Sequence, residues 1–402
     1  MQSSLLKKAA KIDQSAADIS LYDSAFQHTT SNNLPFLVTA ETFHLAEEEK
    51  SKLLALGPAL KELMTQATEL YQKPFNTFFI RPDVLMTADG LKVCEIETQP
   101  FGLALIIFLQ SSYREWTKVL GQDVRYIFTG FMQWWQQSTG TNQGIFVYSD
   151  HTDRFKGQLV YLANSLKQYG GDFSVRFIED LTAEEIKNNF FYRAFYTYEA
   201  SLDEAINKFL LSEPKLFPQI DPYFEGKYLL ADYFSDDNLR AKLSGETIKL
   251  LDQLLLPTWF IKSSVPTDFP LTIKNWLDLV NFPREQLRFV VKMAGNHPDA
   301  SWAKSVNFLH KKSKVQLKQL LQSIEESKQS WLIQPFLSNK KVSITYATED
   351  FMDLLIMKGR IRLTPYFEYQ TGKLLNVKAT VRRNTLLIHA SSDSVNTIVS
   401  DN

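Results

Sequence analysis

Apolar and polar positions alternate with changing period along the chain, and the period divides it into parts. Residues 46–70, AEEEKSKLLALGPALKELMTQATEL, space leucines as a helix does and place charges between them, so the opening of the chain reads as helix-rich scaffold. Thr77–Met86 and Leu91–Glu97 switch to a period of two around Ala88-Asp89-Gly90, the pattern of a β-hairpin, ended by Pro100 and Gly102. Helix is expected again over Leu105–Gln137, closing in the aromatic FMQWWQQ, and the polar turn Ser138–Gly144 marks a boundary.

From Gly144 the pattern is β-α-β. GIFVYS is a buried strand, Asp153–Tyr169 a helix stopped by Gly170-Gly171, and Phe173–Ile178 a second strand. A third strand over Phe190–Tyr198 and a helix over Leu202–Leu211 complete a small open α/β sheet. No glycine-rich phosphate loop follows its first strand, which argues against a dinucleotide-binding Rossmann unit.

Beyond Ile220 a helical stretch, Lys227–Leu255, leads to the strand Arg288–Met293 and the loop Ala294–Ala300. Helix Lys314–Lys328 and strands Ser330–Gln334, Lys341–Ala347 and Met352–Met357 follow, with Lys358-Gly359-Arg360 and Gln370–Lys373 expected as hairpin turns. The division is a helix-rich segment with an acidic hairpin (1–140), a small α/β domain (141–225) and a strand-rich α+β region (226–402).

Composition narrows the function. Lys and Arg total 44 against 45 Asp and Glu, so no global field draws nucleic acid or an anionic membrane. The single cysteine, Cys94, excludes an intrachain disulfide and a thiolate zinc site and fits the reducing cytoplasm, where the protein is expected; it reads as a small core residue. The most apolar run, Leu103–Leu109, falls far short of the ~20 residues of a membrane-spanning helix. The N-terminus shows no apolar signal region. His28, His44, His151, His297, His310 and His389 share no zinc-binding spacing, and no Gly-x-Ser-x-Gly elbow occurs.

Glu95 and Glu97 are the most suggestive acidic pair. Two residues apart on a strand, they project from one face and could share a Mg²⁺ ion, which takes hard oxygen ligands and commonly one or two protein carboxylates alongside phosphate and water. Solvent-facing residues of a half-exposed strand would show the same spacing. Lys292, among the apolar residues of RFVVKM, requires an anion or an escape to solvent.

The order of these elements resembles the circularly permuted ATP-grasp proteins, the group of the eukaryotic-type glutathione synthetases and glutathionylspermidine synthases. The motifs are Arg81-Pro82-Asp83 and Glu95-Ile96-Glu97-Thr98 on the hairpin, Lys292 with the Gly295 loop after it, WLIQPFL, the linker IDPYFEGKYLLADYFSD and the Pro257-marked LLPTWFI; the similarity covers about residues 75–395. The resemblance implies an ATP-grasp-like nucleotide domain with a small pre-ATP-grasp-like α/β domain. It makes Glu95 and Glu97 magnesium ligands, Lys292 an α/β-phosphate contact and Gln334–Leu337, including Phe336, the adenine hinge. Arg81 would hold a substrate carboxylate or phosphate. Arg382, with Arg383 beside it in VKATVRRN, would neutralise the transferred phosphoryl group or bind the substrate acid, unless both form a solvated strand end. Asn296 stands where the family has a metal-binding glutamate, Glu97 where it has asparagine, and Pro335 where the hinge has an acid. The pair Asn296 and Glu97 reads as a charge swap.

The function so implied is an ATP- and Mg²⁺-dependent carboxylate–amine ligase that works through an acylphosphate. Its partners would be a small-molecule acid and amine, with neither nucleic acid nor membrane involved and homo-oligomerisation left open. The segments 294–301 and QTGK are candidate lids, needed to keep water from the acylphosphate. The alternatives are a protein of this fold that binds nucleotide or a partner without turnover, and a purely structural interaction protein.

Overall fold

A computed structural model describes residues 2–22, 33–98, 101–261, 264–300, 303–383, 385–388 and 391–401. The expectations that touched His28, Pro100, Ser301, Asn384 and His389 lie outside the described residues.

Two helices, α1 (Gln2–Asp18) and α2 (Glu47–Tyr71), precede the hairpin of β1 (Phe79–Thr87) and β2 (Gly90–Glu97). Ala88-Asp89 form its turn without positive φ, and Gly90, at φ 96°, supplies the left-handed residue that follows such a turn in a hairpin. The helical region expected over Leu105–Gln137 is two helices, α3 (Leu103–Tyr113) and α4 (Val124–Thr139). The Asp123 carboxylate caps α4 by accepting from the Tyr126 amide at 2.7 Å, which starts the second helix on a new axis.

The middle block is the expected α/β sheet. Strands β3 (Gln143–Tyr148), β4 (Asp172–Phe177), β5 (Phe190–Arg193) and β6 (Lys215–Phe217) lie parallel in the order β4-β3-β5-β6, with α5 (Lys156–Leu166) crossing between the first two. The third strand ends at Arg193, short of the expected Tyr198, and residues 197–201 form a 3₁₀ turn instead. Lys227–Leu255 breaks into three short helices, Leu229–Ser235, Asp237–Ala241 and Gly245–Leu254.

A second, antiparallel sheet follows, built from β7 (Trp259–Phe260), β8 (Phe289–Ala294), β9 (Asn307–Phe308) and β10 (Ser330–Pro335) in the order β7-β10-β8-β9, and backed by α6 (Lys314–Glu326). The chain then returns to the hairpin. β11 (Lys341–Ala347), β12 (Leu354–Glu368), β13 (Leu374–Arg382) and β14 (Ser394–Ser400) complete a seven-stranded sheet ordered β14-β13-β12-β1-β2, with β11 also on β12 and Phe43–His44 at the far edge.

Lys358-Gly359-Arg360 is not a turn. These residues lie inside β12, paired with Ser343, Val342 and Lys341; the reversal falls at residues 348–353. A side chain at Gly359 would approach the Arg382 carbonyl to 2.6 Å, so the glycine serves strand packing rather than reversal. Gln370–Lys373 does reverse the chain between β12 and β13.

Alternation decides what the large sheet does. Ile80, Val84, Met86, Ile361, Leu363, Val377 and Val381 point to one face and bury against Leu53, Leu60 and Leu63 of α2. The intervening positions, Arg81, Asp83, Arg362, Tyr366 and Lys378, project from the other face and line a cavity. Among the described residues no helix is long and apolar enough to cross a membrane.

Candidate functional site

The hairpin register sets the first half of the site. Arg81 pairs with Glu97 and Asp83 with Glu95, but the count slips by one between Asp83 and Val84, leaving Cys94 as the extra residue of a β-bulge. A bulged residue loses its ladder partner. The Cys94 carbonyl is therefore open to other donors, and it accepts from Lys292 Nζ at 3.0 Å and Gln334 Nε2 at 3.1 Å, both from the second sheet. The slip leaves Glu95 and Glu97 on the cavity face together while Val93 and Ile96 both reach the core. Cys94 thus lines the cavity; burial pushes its thiol up to about 12.

Lys292 reaches the site from β8, its ammonium 3.7 Å from Glu95 Oε2, and is 7% exposed. Lys227 approaches from a third direction. It ion-pairs with Glu95, lies 3.8 Å from Glu97 Oε1 and donates to the Ala300 carbonyl at 3.0 Å. Its φ of 67° is a left-handed conformation that a non-glycine residue adopts at a cost, and such strain gathers at functional sites. Arg81 lies 3.7 Å from Glu97 Oε2, and Arg362 Nη1 donates to Asp83 Oδ2 at 2.6 Å.

These groups face one cavity of about 380 Å³, within the range of small-molecule sites. Among the described residues its charged lining comprises three carboxylates, Asp83, Glu95 and Glu97, and five cations, Arg81, Lys227, Lys292, Arg362 and Lys378. The excess is positive, as a polyphosphate requires. Burial pushes the Glu95 carboxyl up, yet the Lys227 and Lys292 ammoniums outweigh it and hold the group well below the usual carboxylate range. Glu97 moves the opposite way, raised by burial and by the charge of Glu95. Lys378 has no hydrogen-bond or ion-pair partner among the described residues; burial and the charges of Arg362 and Arg81 push its ammonium down to about 7. Leu85, Leu256, Val290, Val306 and Phe308 form an apolar wall beside Gln334 and Pro335.

Comparison of this architecture with solved structures finds a glutathione synthetase-like effector from Globodera pallida, in its apo form, at a TM-score of 0.62 and 12% identity, over 100% of this chain and 97% of that one. The chain has the glutathione synthetase-like fold. A candidate gamma-glutamylcysteine synthetase from Methylobacillus flagellatus also aligns, at a TM-score of 0.43 and 11% identity over 87% of this chain and 88% of that one, and the assignment does not rest on it. No sequence-family model matches the chain, and no curated protein matches it in sequence.

Within this glutathione synthetase-like fold the sequence-derived site residues divide. Arg81, Glu95, Glu97, Lys292 and Gln334 line the cavity. Phe336 and Leu337 do not. The Phe336 amide is committed to the Arg288 carbonyl at 2.8 Å, and its ring packs outward on His310 and Phe308. Of the segment expected as a hinge, Gln334 and Pro335 line the cavity, and the Gln334 side-chain amide already donates to Thr258 Oγ1 at 2.7 Å.

Asn296 also stands outside the lining residues. Its Oδ1 lies 3.0 Å from the Thr197 hydroxyl, on the middle domain, so the expected charge swap with Glu97 has no geometric basis. Arg382 is engaged elsewhere: its Nε donates to Asp393 at 2.9 Å and Nη1 to the Leu387 carbonyl at 3.4 Å, bracing the strap whose Leu386, Leu387 and Ile388 reach the cavity. The adjacent Arg383 donates to the Ile356 carbonyl at 3.3 Å. The basic residue of VKATVRRN that does face the cavity is Lys378.

QTGK is no lid, since Gly372 packs against Pro58 of α2 and Gln370 bonds Gln137 of α4 at 3.2 Å. Lys378, Arg362 and Lys227 are the residues that sequence reasoning missed. A signal was available for the first two: each occupies the cavity-facing parity of its strand, as Arg81 does.

Proposed function

We propose that this chain is an ATP- and Mg²⁺-dependent carboxylate–amine ligase on a circularly permuted ATP-grasp framework. The observation that carries the reading is the meeting, in one cavity, of a carboxylate pair from the early hairpin with lysines from two distant segments, Lys227 and Lys292. Two carboxylates fit Mg²⁺, which accepts that number together with phosphate oxygens and water. Among the described residues no set of three or more His, Cys, Asp or Glu side chains could hold a metal, so the remaining ligands would come from the nucleotide and solvent.

In this reading Glu95 and Glu97 hold the metal and Lys292 and Lys227 the phosphates, while Leu85, Leu256, Val290 and Pro335 enclose the base. The metal, when bound, screens the charge of the triphosphate. Arg81, Arg362 and Lys378 position the acid and neutralise the phosphoryl group as it passes to the carboxylate oxygen, making an acylphosphate; an amine then displaces phosphate. Positioning and charge account for such a transfer without covalent participation by the protein. The acid and amine are small molecules.

The rival reading, a protein that binds nucleotide without turnover, is favoured by one arrangement. Lys227 ion-pairs with Glu95 and lies near Glu97, engaging the oxygens that a metal would need, and among the described residues no third carboxylate completes a metal-binding set. Assay of ADP and phosphate release over a panel of acids and amines separates the two. A ligase releases both only when acid, amine, ATP and Mg²⁺ are present together; Mg-ATP binding without release under every combination supports the rival.

A further inference from the structure

The cavity extends past the charged residues into a compartment of different chemistry. Phe101 and Phe155 stack there with centroids 4.7 Å apart, Tyr196 joins Phe101 at 5.2 Å, and Tyr22, Leu105 and the strap residues Leu386–Ile388 close the space. The wall is assembled from five places in the chain: the segment after α1, the start of α3, the start of α5, the loop after β5 and the strap. Among the described residues its one non-aromatic polar side chain is Gln158, on α5, which is 4% exposed, lines the cavity and makes no hydrogen bond to any of them.

An unpartnered buried amide is costly unless a ligand completes its hydrogen bonds. Among the described residues no carboxylate faces this compartment: Asp83, Glu95 and Glu97 lie on the sheet wall and are already paired with cations, and Glu199 accepts from the Tyr196 amide at 3.3 Å. An ammonium carried next to the ligand's carboxylate would stand beside the cations Arg81 and Lys378, where Glu97 and Asp83 are already paired, and would lose its water without gaining a free counter-ion. Aromatic faces and a neutral amide suit an uncharged planar body instead.

We infer that the acid taken by this site is an aryl-bearing carboxylic acid without an amino group, its ring against the wall of Phe101, Phe155 and Tyr196, a ring hydroxyl or comparable polar group on Gln158, and its carboxylate toward Arg81 and Lys378. This deepens the ligase reading and rests on it for the fate of the carboxylate. Binding of the acid does not depend on turnover.

The test compares ligands differing in one group. Calorimetric titration of the full chain uses 3-phenylpropanoate, 3-(4-hydroxyphenyl)propanoate, phenylalanine and γ-glutamylcysteine, each with and without Mg²⁺ and a non-hydrolysable ATP analogue. The expected result is that the two amine-free acids bind about tenfold or more tightly than phenylalanine, with γ-glutamylcysteine no better than phenylalanine. The hydroxyl should add about threefold or more, an increment abolished in Gln158→Leu while 3-phenylpropanoate still binds. Equal or tighter binding of phenylalanine or γ-glutamylcysteine overturns the inference, as does failure of both aryl acids in wild-type protein that binds the nucleotide analogue. Aryl acids binding where the nucleotide does not would leave the inference standing and defeat the ligase reading.

Discussion

Lys292 Nζ donates to the carbonyl oxygen of Cys94 at 3.0 Å, joining the second sheet to the bulge of a hairpin that lies almost two hundred positions earlier in the chain. The same ammonium stands 3.7 Å from Glu95, so one side chain both ties the two sheets and balances the carboxylate pair. Lys292→Met keeps the stem and removes the charge. It is expected to weaken Mg-ATP binding about tenfold or more, measured calorimetrically, with the fold retained by circular dichroism. Unchanged affinity would remove Lys292 from the nucleotide site.

Lys378 and Arg382 share a strand and a face but differ in surroundings. Lys378 lines the cavity without a partner among the described residues, whereas Arg382 is bonded to Asp393 and the strap. Lys378→Met should therefore lower affinity for a phosphate-bearing ligand about tenfold, while Arg382→Ala should leave it within about threefold and loosen the strap, raising hydrogen exchange of residues 385–388. The reverse ranking would restore the assignment drawn from the sequence.

Burial and the neighbouring Arg362 and Arg81 push the Lys378 ammonium from its ordinary 10.5 down to about 7 in the folded chain. Between these values the unfolded chain binds the extra proton, so stability should rise with pH across the window, and the cost of the charged lysine is fully present below about 7. Denaturant unfolding from pH 6 to pH 9 should show Lys378→Met stabilising the protein by ~1 kcal/mol or more at the acid end and progressively less toward the alkaline end. A pH-independent difference would contradict this. An anion settling beside Lys378 should also draw a proton onto it, seen at pH 8 as a binding enthalpy that varies with the buffer.

The middle sheet is fastened to the rest of the chain by a buried pair. Arg193 at the end of β5 and Glu225 are ion-paired with side chains 1% and 2% exposed, and Arg193 also donates to the Phe195 carbonyl at 3.0 Å. Glu225→Gln strands a guanidinium in the interior and should cost ~3–5 kcal/mol in denaturant unfolding. A loss under about 1 kcal/mol would mean that water reaches the pair.

What could be read from the sequence was what alternation and turn chemistry encode locally. The hairpin, its turn at Ala88-Asp89-Gly90, the shared face of Glu95 and Glu97 and the β-α-β block all follow from period and glycine placement. Glycine misled at Lys358-Gly359-Arg360, because the need for it comes from the Arg382 carbonyl across the sheet and not from the local chain. The bulge at Cys94 is a relation between two strands, invisible on either one. Lys227 is placed by a left-handed residue between helices, and no periodicity marks it. Arg382 and Lys378 have the same parity and the same charge sign; only the fold of the strap, with Asp393 in it, decides which of them faces the cavity.

The direct measurement is calorimetric titration of Mg-ATP into the wild-type chain and into Glu95→Gln/Glu97→Gln. The expected result is saturable, Mg²⁺-dependent binding to the wild type, with the Mg²⁺ dependence lost and affinity reduced about tenfold or more in the variant. Absence of binding to the wild type, or equal Mg²⁺-dependent affinity in both proteins, would contradict a metal–triphosphate site at this carboxylate pair.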